Sequence, residues 1–291
     1  MDWLWLVIAT VITAIAPFAV AYLQGVDRRI TARMQNRVGP PLLQPIYDIL
    51  KLLSKTKVAV NKGQLVLATM YVTMSILAFW MFLAGADLLI IFFILSAAAA
   101  FYTLAGYAVL SPYSQLGSTR ELIQVIAYEP VLLLAFFGIW LVTGTFASEA
   151  TDKMLILWLP LTFAALMLVL LVKLQKSPYD VAEAHTEIVG GPEIEYSGKF
   201  LAMVKVGHWY EAALMFAIIS LFFGHPNIYV AFAGKLLIVL LAWFIVILVD
   251  NSTARLRFGQ MARVVLTYGL ALTVVNALLV WAVQQEVIPW P

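Results

Sequence analysis

The chain contains no cysteine. This absence excludes disulfide bonds, haem attachment through thioether bonds, and thiolate ligation of iron–sulfur clusters or nickel. If the protein takes part in redox chemistry, its metals must therefore lie in another subunit. We expect this chain itself to bind no metal and no cofactor. Charged residues are also scarce, at 12% of the chain, and the formal net charge is only +2.

The remaining composition is strongly apolar. Hydrophobic residues make up 63% of the 291 positions and the mean hydropathy is +0.95, whereas soluble domains contain roughly 45 to 50% apolar residues. The sequence therefore predicts an all-α, multi-pass membrane protein in which residues 1–291 form a single transmembrane domain. The first residues, MDWLWLVIAT, carry an acid where a secretory signal carries positive charge, so we expect a retained first helix.

A membrane-spanning helix needs about 20 mostly apolar residues. Eight segments meet this requirement, and the second and third are joined by only Ala84 to Asp87, which predicts a tight helical hairpin. The predicted spans are Trp3 to Leu23, Leu65 to Leu83, Leu88 to Leu110, Leu122 to Thr143, Leu155 to Val172, Phe200 to Phe223, Ile228 to Val249 and Val264 to Val283.

The distribution of basic residues predicts the orientation of the spans. Most of them fall in the loops after spans 1, 3, 5 and 7, whereas the opposite side has only Lys153 outside a helix. We therefore expect those loops to face the cytoplasm and both termini to lie outside, with the chain in the cytoplasmic (cell) membrane. The first loop alone holds Arg28, Arg29, Arg33, Arg37, Lys51, Lys55, Lys57 and Lys62.

This first cytoplasmic loop, residues 24–64, is too long and too patterned for a plain connector. Its segment PIYDILKLLSK predicts a short amphipathic helix at the membrane surface, because five apolar residues fall near one helical face. These residues are Ile46, Ile49, Leu50, Leu52 and Leu53. Two interpretations stay open: a surface anchor, or a docking or substrate-binding site, since ordered loops often carry function.

Span 4 opens with STRELIQVIAYEP, which places Glu129 inside the apolar run. A charge at bilayer depth is costly and usually faces a bundle interior or a water-filled cavity. Glu129 is therefore a candidate for proton transfer, with a structural ion pair as the alternative. Pro130 is expected to disturb the helix locally.

Span 6 contains Lys205, His208 and Glu211, which are spaced three residues apart and can face one cavity. Histidine titrates near neutral pH, so a proton relay is one interpretation. An internally neutralised Lys–Glu pair with a hydrogen-bonded histidine is the other. Lys235, a lone cation in span 7, is either a further relay member or a side chain that reaches the outer surface.

The central acidic loop, residues 173–199, concentrates carboxylates between two apolar runs. If its SPYDVAEAHTEIVGG segment is helical, Asp180, Glu183 and Glu187 line one face. Repulsion and desolvation raise carboxylate pKa values towards neutrality, where a group can both accept and release protons. A proton path towards Glu129 and span 6 is therefore the functional interpretation, and a solvated acidic loop is the alternative. The five carboxylates are Asp180, Glu183, Glu187, Glu193 and Glu195.

Four segments of the chain carry a resemblance to a known family. They are DRRITARMQNRVGPPLLQPIYDILKLLSK, RELIQVIAYE, SPYDVAEAHTEIVGGPEIEYSG and RLRFGQM, in this order. The whole chain resembles the membrane subunit of respiratory complex I called chain 1. It resembles more closely the counterpart of that subunit in energy-converting nickel–iron hydrogenases and their ferredoxin-driven relatives.

The resemblance implies a role for specific positions. Glu129 matches the glutamate that closes the span 4 motif, and Asp180, Glu183, Glu187 and Glu195 match the family's acidic loop. Asp27 and Asp48 with Lys51 belong to the loop that faces the peripheral arm or its redox site. In the same loop, the matching residues are Arg28, Arg33, Gln35 and Arg37.

The sequence also departs from the complex I pattern. His185 replaces a glutamate, His208 stands where a Gly-Glu pair is usual, Asp250 replaces an arginine, and the VGPP element is shortened. These changes argue against quinone binding. A cationic His185 among the carboxylates would also lower their pKa values.

The expected function follows from this resemblance. It is that of a cofactor-free, non-catalytic subunit that joins the peripheral electron-transfer arm of a hydrogenase-type complex to its ion-pumping arm. Iron–sulfur clusters and the nickel–iron centre would lie in partner subunits. We expect hydrogenase-like large and small subunits, antiporter-like membrane subunits and the lipid bilayer as partners, and no nucleic acid. The alternatives are a quinone-binding complex I subunit and, in another class, a stand-alone secondary transporter.

Overall fold

The computed structural model describes residues 3–56, 61–148 and 152–285, apart from the side chain of His185. Lys57, one of the basic residues of the first loop, lies outside this part of the chain. Over the described residues the regular elements are helical, and one isolated bridge pairs Asp87 with Ala147. The α-helices are α1 Trp3–Met34, α2 Gln44–Ser54, α3 Lys62–Leu83, α4 Leu88–Tyr107, α5 Pro112–Thr143, α6 Leu155–Trp158, α7 Pro160–Lys173, α8 His185–Ile188, α9 Lys199–Ser220, α10 Ile228–Ser252 and α11 Phe258–Gln284.

Seven of these helices are long and apolar enough to cross a membrane: α1, α3, α4, α5, α9, α10 and α11. The fifth predicted span is divided between α6 and α7, and α7 has only 14 residues. At 1.5 Å per residue it measures about 21 Å, which is less than the hydrocarbon core of a typical bilayer. An all-α membrane fold is therefore confirmed with seven candidate spans, while the eighth span and the position of the termini stay predictions.

Helix α9 lies at the centre of the bundle. Of its most apolar window 72% is buried inside the chain, compared with 28% for α10 and α11. It packs against α3, α1 and α10, while α3 pairs with α4 in the predicted hairpin and α5 pairs with α11. Because α9 carries Lys205, His208 and Glu211, these polar side chains lie inside the bundle rather than towards lipid.

Two helices are longer than the hydropathy predicts. Helix α1 continues to Met34, so the first loop begins as a helix and not at Gln24 as predicted. Hydropathy falls at this point, but residues 24–34 still favour helix, and tertiary contacts extend it. Helix α5 runs from Pro112 through Pro130 to Thr143, so the predicted local break at Pro130 is wrong.

The predicted amphipathic helix of the first loop is present as α2, although its apolar residues do not share one face. Ile46 and Ile49 pack against the core. Leu50 and Leu53 are exposed. Because only part of the apolar stripe faces the protein, α2 covers the bundle with one side and presents apolar surface with the other.

The central acidic loop contains little helix, which contradicts the helical interpretation of its first half. Within it the structure has only α8 and a 3₁₀ turn, Gly191–Glu193. The loop lies directly on α5: a Cβ atom on Gly117 would stand 2.6 Å from the Cα of Gly191. Gly191 also has a positive φ of 53°, which favours glycine. This close backbone contact fixes the loop against the bundle.

Candidate functional site

A cavity of about 520 Å³ lies between the end of α1, helix α2, the central acidic loop and the first turns of α9. Its volume falls in the roughly 300 to 1,000 Å³ range of small-molecule sites. Apolar side chains such as Ile49, Leu52 and Trp209 alternate in its wall with charges of both signs. The polar lining residues are Gln24, Asp27, Arg28, Asp48, Lys51, Lys55, Lys173, Gln175, Lys176, Glu183, Glu193, Lys205 and His208.

An ion pair between the first loop and α2 stands at the outer part of this cavity. Arg28 Nη1 lies 2.9 Å from Asp48 Oδ2, with side chains 48% and 42% exposed. Burial opposes ionisation of Asp48, but bonds from Arg28 and Gln44 outweigh it and hold the pKa of Asp48 below its ordinary value. Exposed pairs of this kind contribute at most about 1 kcal/mol, so the contact is easily opened.

Three charged residues tie the cavity wall to distant helices, and we call them the Lys176 triad: Asp27, Lys176 and Asp250. Lys176 Nζ lies 2.5 Å from Asp27 Oδ2 and 3.0 Å from Asp250 Oδ2. Burial disfavours the charge of Lys176, but the two carboxylates more than offset this and raise its pKa. The triad therefore joins α1, the central acidic loop and α10.

Glu193 is the centre of the inner cavity wall. Lys205 Nζ lies 2.6 Å from its Oε2 atom, and His208 Nε2 lies 3.7 Å from its Oε1 atom. His208 Nδ1 forms a 2.9 Å hydrogen bond with the hydroxyl of Tyr71, and the ring of Tyr102 meets the imidazole edge-on. The predicted Lys205 and His208 stripe therefore faces the cavity and converges on one carboxylate.

Glu183 lies beside this group. Oxygen or nitrogen atoms of Glu183, Glu193 and His208 all fall within 4.8 Å of one another. Burial and the neighbouring charge of Glu193 raise the pKa of Glu183 to about 8, although Lys205 opposes the shift. At neutral pH the Glu183 carboxyl therefore holds a proton that it can release within the physiological range.

Deeper in the bundle, Glu211 is paired with a lysine that also lines the cavity. Lys173 Nζ lies 3.1 Å from Glu211 Oε2, and the two side chains are only 4% and 7% exposed. The same ammonium group stands 4.9 Å from the centroid of the Tyr128 ring. Glu211 is thus one side chain away from the cavity.

A second buried carboxylate, Glu121, has the same relation to the cavity through Gln175. The Gln175 amide donates hydrogen bonds to Glu121 Oε2 at 2.9 Å and to Gln124 Oε1 at 3.2 Å. Glu121 is absent from the predicted set because the predicted fourth span begins one residue later, at Leu122. Its spacing with Gln124 and Tyr128, at i, i+3 and i+7, is the signal that identifies it.

Two carboxylates of the central acidic loop face away from this group. Asp180 pairs with Arg255, and Glu187 lies 2.6 Å from Arg120 and 4.0 Å from Arg255. Glu187 is half-exposed. The predicted common face of Asp180, Glu183 and Glu187 does not form, because the segment is not helical and arginines on both sides attract its two outer acids.

Three predicted path residues are not connected to the cavity. Glu129, Glu195 and Lys235 are each half-buried, and none makes a hydrogen bond or ion pair among the described residues. Glu129 lies eight residues beyond Glu121, or about 12 Å along the axis of α5. Their roles in proton transfer stay predictions.

The exposed end of α1 presents the remaining predicted docking residues. Arg33, Gln35 and Arg37 are exposed, and Arg37 Nε donates a 2.8 Å hydrogen bond to Gln35 Oε1. Lys51 is exposed on α2 at the cavity. The His185 side chain lies outside the described part of the chain, so its predicted effect on the carboxylates stays a prediction.

An all-helical membrane bundle with a polar cavity that leads to buried carboxylates is typical of ion-coupled membrane proteins. Comparisons with known proteins define the family. The family model described as NADH dehydrogenase matches residues 7–281. The chain therefore belongs to the NADH dehydrogenase family, which includes chain 1 of respiratory complex I.

Individual relatives come from both hydrogenase and complex I assemblies. Hydrogenase-4 component C of Escherichia coli is 31% identical, over 80% of this chain and 83% of that protein. A membrane subunit of the NADH-quinone oxidoreductase of Methylococcus capsulatus is 30% identical, over 97% and 96%. Among solved structures, an archaeal membrane-bound sulfane sulfur reductase contains a chain that is 26% identical with a TM-score of 0.84, covering 94% of this chain and 98% of that one.

Proposed function

We propose that this chain is the cofactor-free membrane subunit that joins the peripheral electron-transfer arm of an energy-converting, hydrogenase-type complex to its ion-pumping arm. Its relatives include hydrogenase-4 component C and formate hydrogenlyase subunit 4 of Escherichia coli. In this proposal the redox centres lie in partner subunits, ferredoxin-linked electron transfer supplies the energy, and the chain passes its effect to proton or sodium translocation.

One observation carries the coupling proposal: a single cavity reaches two buried carboxylates through one side chain each. Lys173 and Gln175 line the cavity and contact Glu211 and Glu121, respectively. A change of charge in the cavity therefore acts on both carboxylates through direct contacts. Such coupling needs states with different contacts in each redox condition.

The proton path that we propose begins at the cavity wall. Glu183 is a proton donor at neutral pH, and Glu193 with His208 is the next group within reach. From there Lys205 and Lys173 hold the acids of the wall and the interior in ion pairs that can exchange. In this arrangement Glu211 and Glu121 receive the change of charge.

We further propose that the exposed end of α1 and helix α2 bind the peripheral arm. The surface carries Arg33, Arg37 and Lys51 next to exposed apolar residues of α2. If α6 and α7 together complete an eighth crossing, this surface faces the cytoplasm and both termini lie outside. Cysteine substitution at Arg37 followed by cross-linking in the intact complex tests the contact, and labelling from the outside only would contradict it.

The coupling proposal is tested with Glu211→Gln in the complete complex. Inverted membrane vesicles are supplied with the electron donor, and electron transfer and ion uptake are measured together. We expect ion uptake per electron to fall strongly in Glu211→Gln, and Glu211→Asp, which keeps a carboxylate, to retain part of it. Wild-type uptake in an assembled Glu211→Gln complex would contradict the role of Glu211.

A second candidate function is that of a quinone-binding subunit of a respiratory complex I. The observation in its favour is the cavity itself, which combines a suitable volume with apolar wall residues such as Trp209 and Leu52. Extraction of the purified complex distinguishes the two proposals. A stoichiometric quinone, together with sensitivity to quinone-site inhibitors, would favour complex I.

A further inference from the structure

A gap in the inner cavity wall is the starting point. His208 Nε2 and Glu193 Oε1 stand 3.7 Å apart, and both atoms are buried without a hydrogen-bond partner in the part of the chain that the structure describes. A hydrogen bond between nitrogen and oxygen is about 2.7 to 3.2 Å long. Two buried polar atoms that face each other at a longer distance leave an unmet demand for a shared ligand.

The separation matches that of two ligands on one metal ion. Zinc binds histidine nitrogen and carboxylate oxygen at about 2.0 to 2.2 Å with tetrahedral geometry, which places neighbouring ligand atoms roughly 3.4 Å apart. The observed 3.7 Å is close to that value. A carboxylate oxygen of Glu183 lies within 4.8 Å of both atoms, so a small side-chain rotation supplies a third ligand.

The surroundings of these ligands have the arrangement that metal sites require. The second ring nitrogen of a metal-binding histidine is normally held by an oxygen atom, and ligating carboxylates are hydrogen-bonded in turn. Here the Tyr71 hydroxyl holds His208 Nδ1 at 2.9 Å, and Lys205 holds Glu193 Oε2 at 2.6 Å. Both contacts leave the remaining atom, Nε2 or Oε1, directed into the gap.

We propose that Glu183, Glu193 and His208 form a binding site for a divalent cation of the zinc type, with a fourth position open to the cavity. One imidazole and two carboxylates favour zinc over magnesium or calcium, which take oxygen ligands. Two carboxylates neutralise the ion, while the nearby Lys205 weakens its binding. The expectation that this chain binds no metal rested on the absence of cysteine, and this donor set needs none.

Binding of the ion has a consequence for coupling, which rests on the proposed function. A coordinated carboxylate or imidazole cannot exchange protons, since metal and proton compete for the same lone pair. Zinc at this site therefore blocks the start of the proposed path. Zinc binding itself does not depend on that function and is measured separately.

The experiment uses the complete purified complex, incubated with zinc chloride and then desalted. Zinc per complex is measured by mass spectrometry, and affinity by competition with a chromophoric chelator. We expect one zinc ion that is lost in His208→Gln and kept in His225→Gln, the matched control. His225 lies beyond the C-terminal end of α9 and accepts a hydrogen bond from Asn227 through Nδ1. Equal zinc content and affinity in the two variants would overturn the proposal.

Two further measurements keep the test decisive if His208→Gln fails to assemble. Tyr71→Phe leaves all three ligands in place and removes only the partner of Nδ1, so we expect zinc affinity to fall about 10- to 100-fold. X-ray absorption at the zinc edge should show one imidazole and oxygen ligands in the wild type. A zinc shell without imidazole, or an unchanged affinity in Tyr71→Phe, would overturn the site.

The activity arm separates the two proposals. If zinc binds as described and inhibits ion uptake in the wild type but not in His208→Gln, both the site and the path are supported. If zinc binds but ion uptake is unchanged, the metal site stands and the path through Glu183 and Glu193 fails.

Discussion

The Lys173–Glu211 pair allows a quantitative test of the bundle interior. The side chains are 4% and 7% exposed and their charged atoms lie 3.1 Å apart. Replacing Lys173 by methionine keeps the length of the side chain but leaves Glu211 without its counter-ion. Removing one partner of a buried pair typically costs about 3 to 5 kcal/mol, because an uncompensated charge stays buried.

The double variant Lys173→Met/Glu211→Met has a different expected result. Replacing both partners of a buried pair by apolar residues is often neutral, or stabilising by about 1 to 4 kcal/mol. The double variant should therefore be close to the wild type or more stable. A single loss of about 3 to 5 kcal/mol corresponds to a fall in Tm of roughly 6 to 20 °C for a domain of 150 to 250 residues.

Thermal unfolding of the protein in detergent, followed by tryptophan fluorescence, measures these differences. Lys235→Met is the matched control, because Lys235 lies on the membrane helix α10 and makes no ion pair among the described residues. We expect little change in its Tm. The reasoning is refuted if Lys173→Met unfolds at the same temperature as Lys235→Met, or if the double variant is as unstable as the single one.

Three further predictions follow from the site. Glu121→Gln should lower coupled ion uptake by about 100-fold, the scale of losing one proton-transfer group, and should do so more strongly than Glu129→Gln; the reverse order, measured in vesicles, would favour the position selected from sequence. Because the folded-state pKa of Glu183 is raised from 4.5 to about 8, the folded state binds the extra proton, and its contribution to stability is lost as pH rises from about 4.5 to 8. The Tm of Glu183→Gln should lack this decrease, and parallel curves between pH 5 and 9 would contradict it. Gly117→Ala should destabilise by about 1 to 3 kcal/mol, because its Cβ would meet Gly191, and an unchanged Tm would show that the central acidic loop can move away.

Local patterns predicted the parts of the fold that depend on neighbouring residues. The α3 and α4 hairpin follows from a turn of four residues between apolar runs, and α2 follows from its apolar spacing. The stripe of Lys205, His208 and Glu211 follows from helical periodicity in the same way. Each of these features is determined within about twenty residues of sequence.

Features that depend on distant partners could not be predicted in this way. Asp180 and Glu187 were expected to share a helical face, but Arg255 and Arg120 hold them in separate ion pairs. Gln175 becomes important only because the fold places it against Glu121, more than fifty positions away. Hydropathy also misjudged the ends of α1, because it records the transfer of side chains to lipid and not the continuation of a helix into water.

The Lys176 triad has a consequence for the order in which the protein is made. Asp27 and Lys176 line the cavity, and Asp250 fixes Lys176 from α10. Chains are synthesised from the N-terminus, so α1 and the central acidic loop are complete while the third member is still missing. A nascent chain therefore carries an unfinished cavity wall until α10 has been translated, and a truncation before Asp250 should leave Lys176 with only one of its two carboxylates.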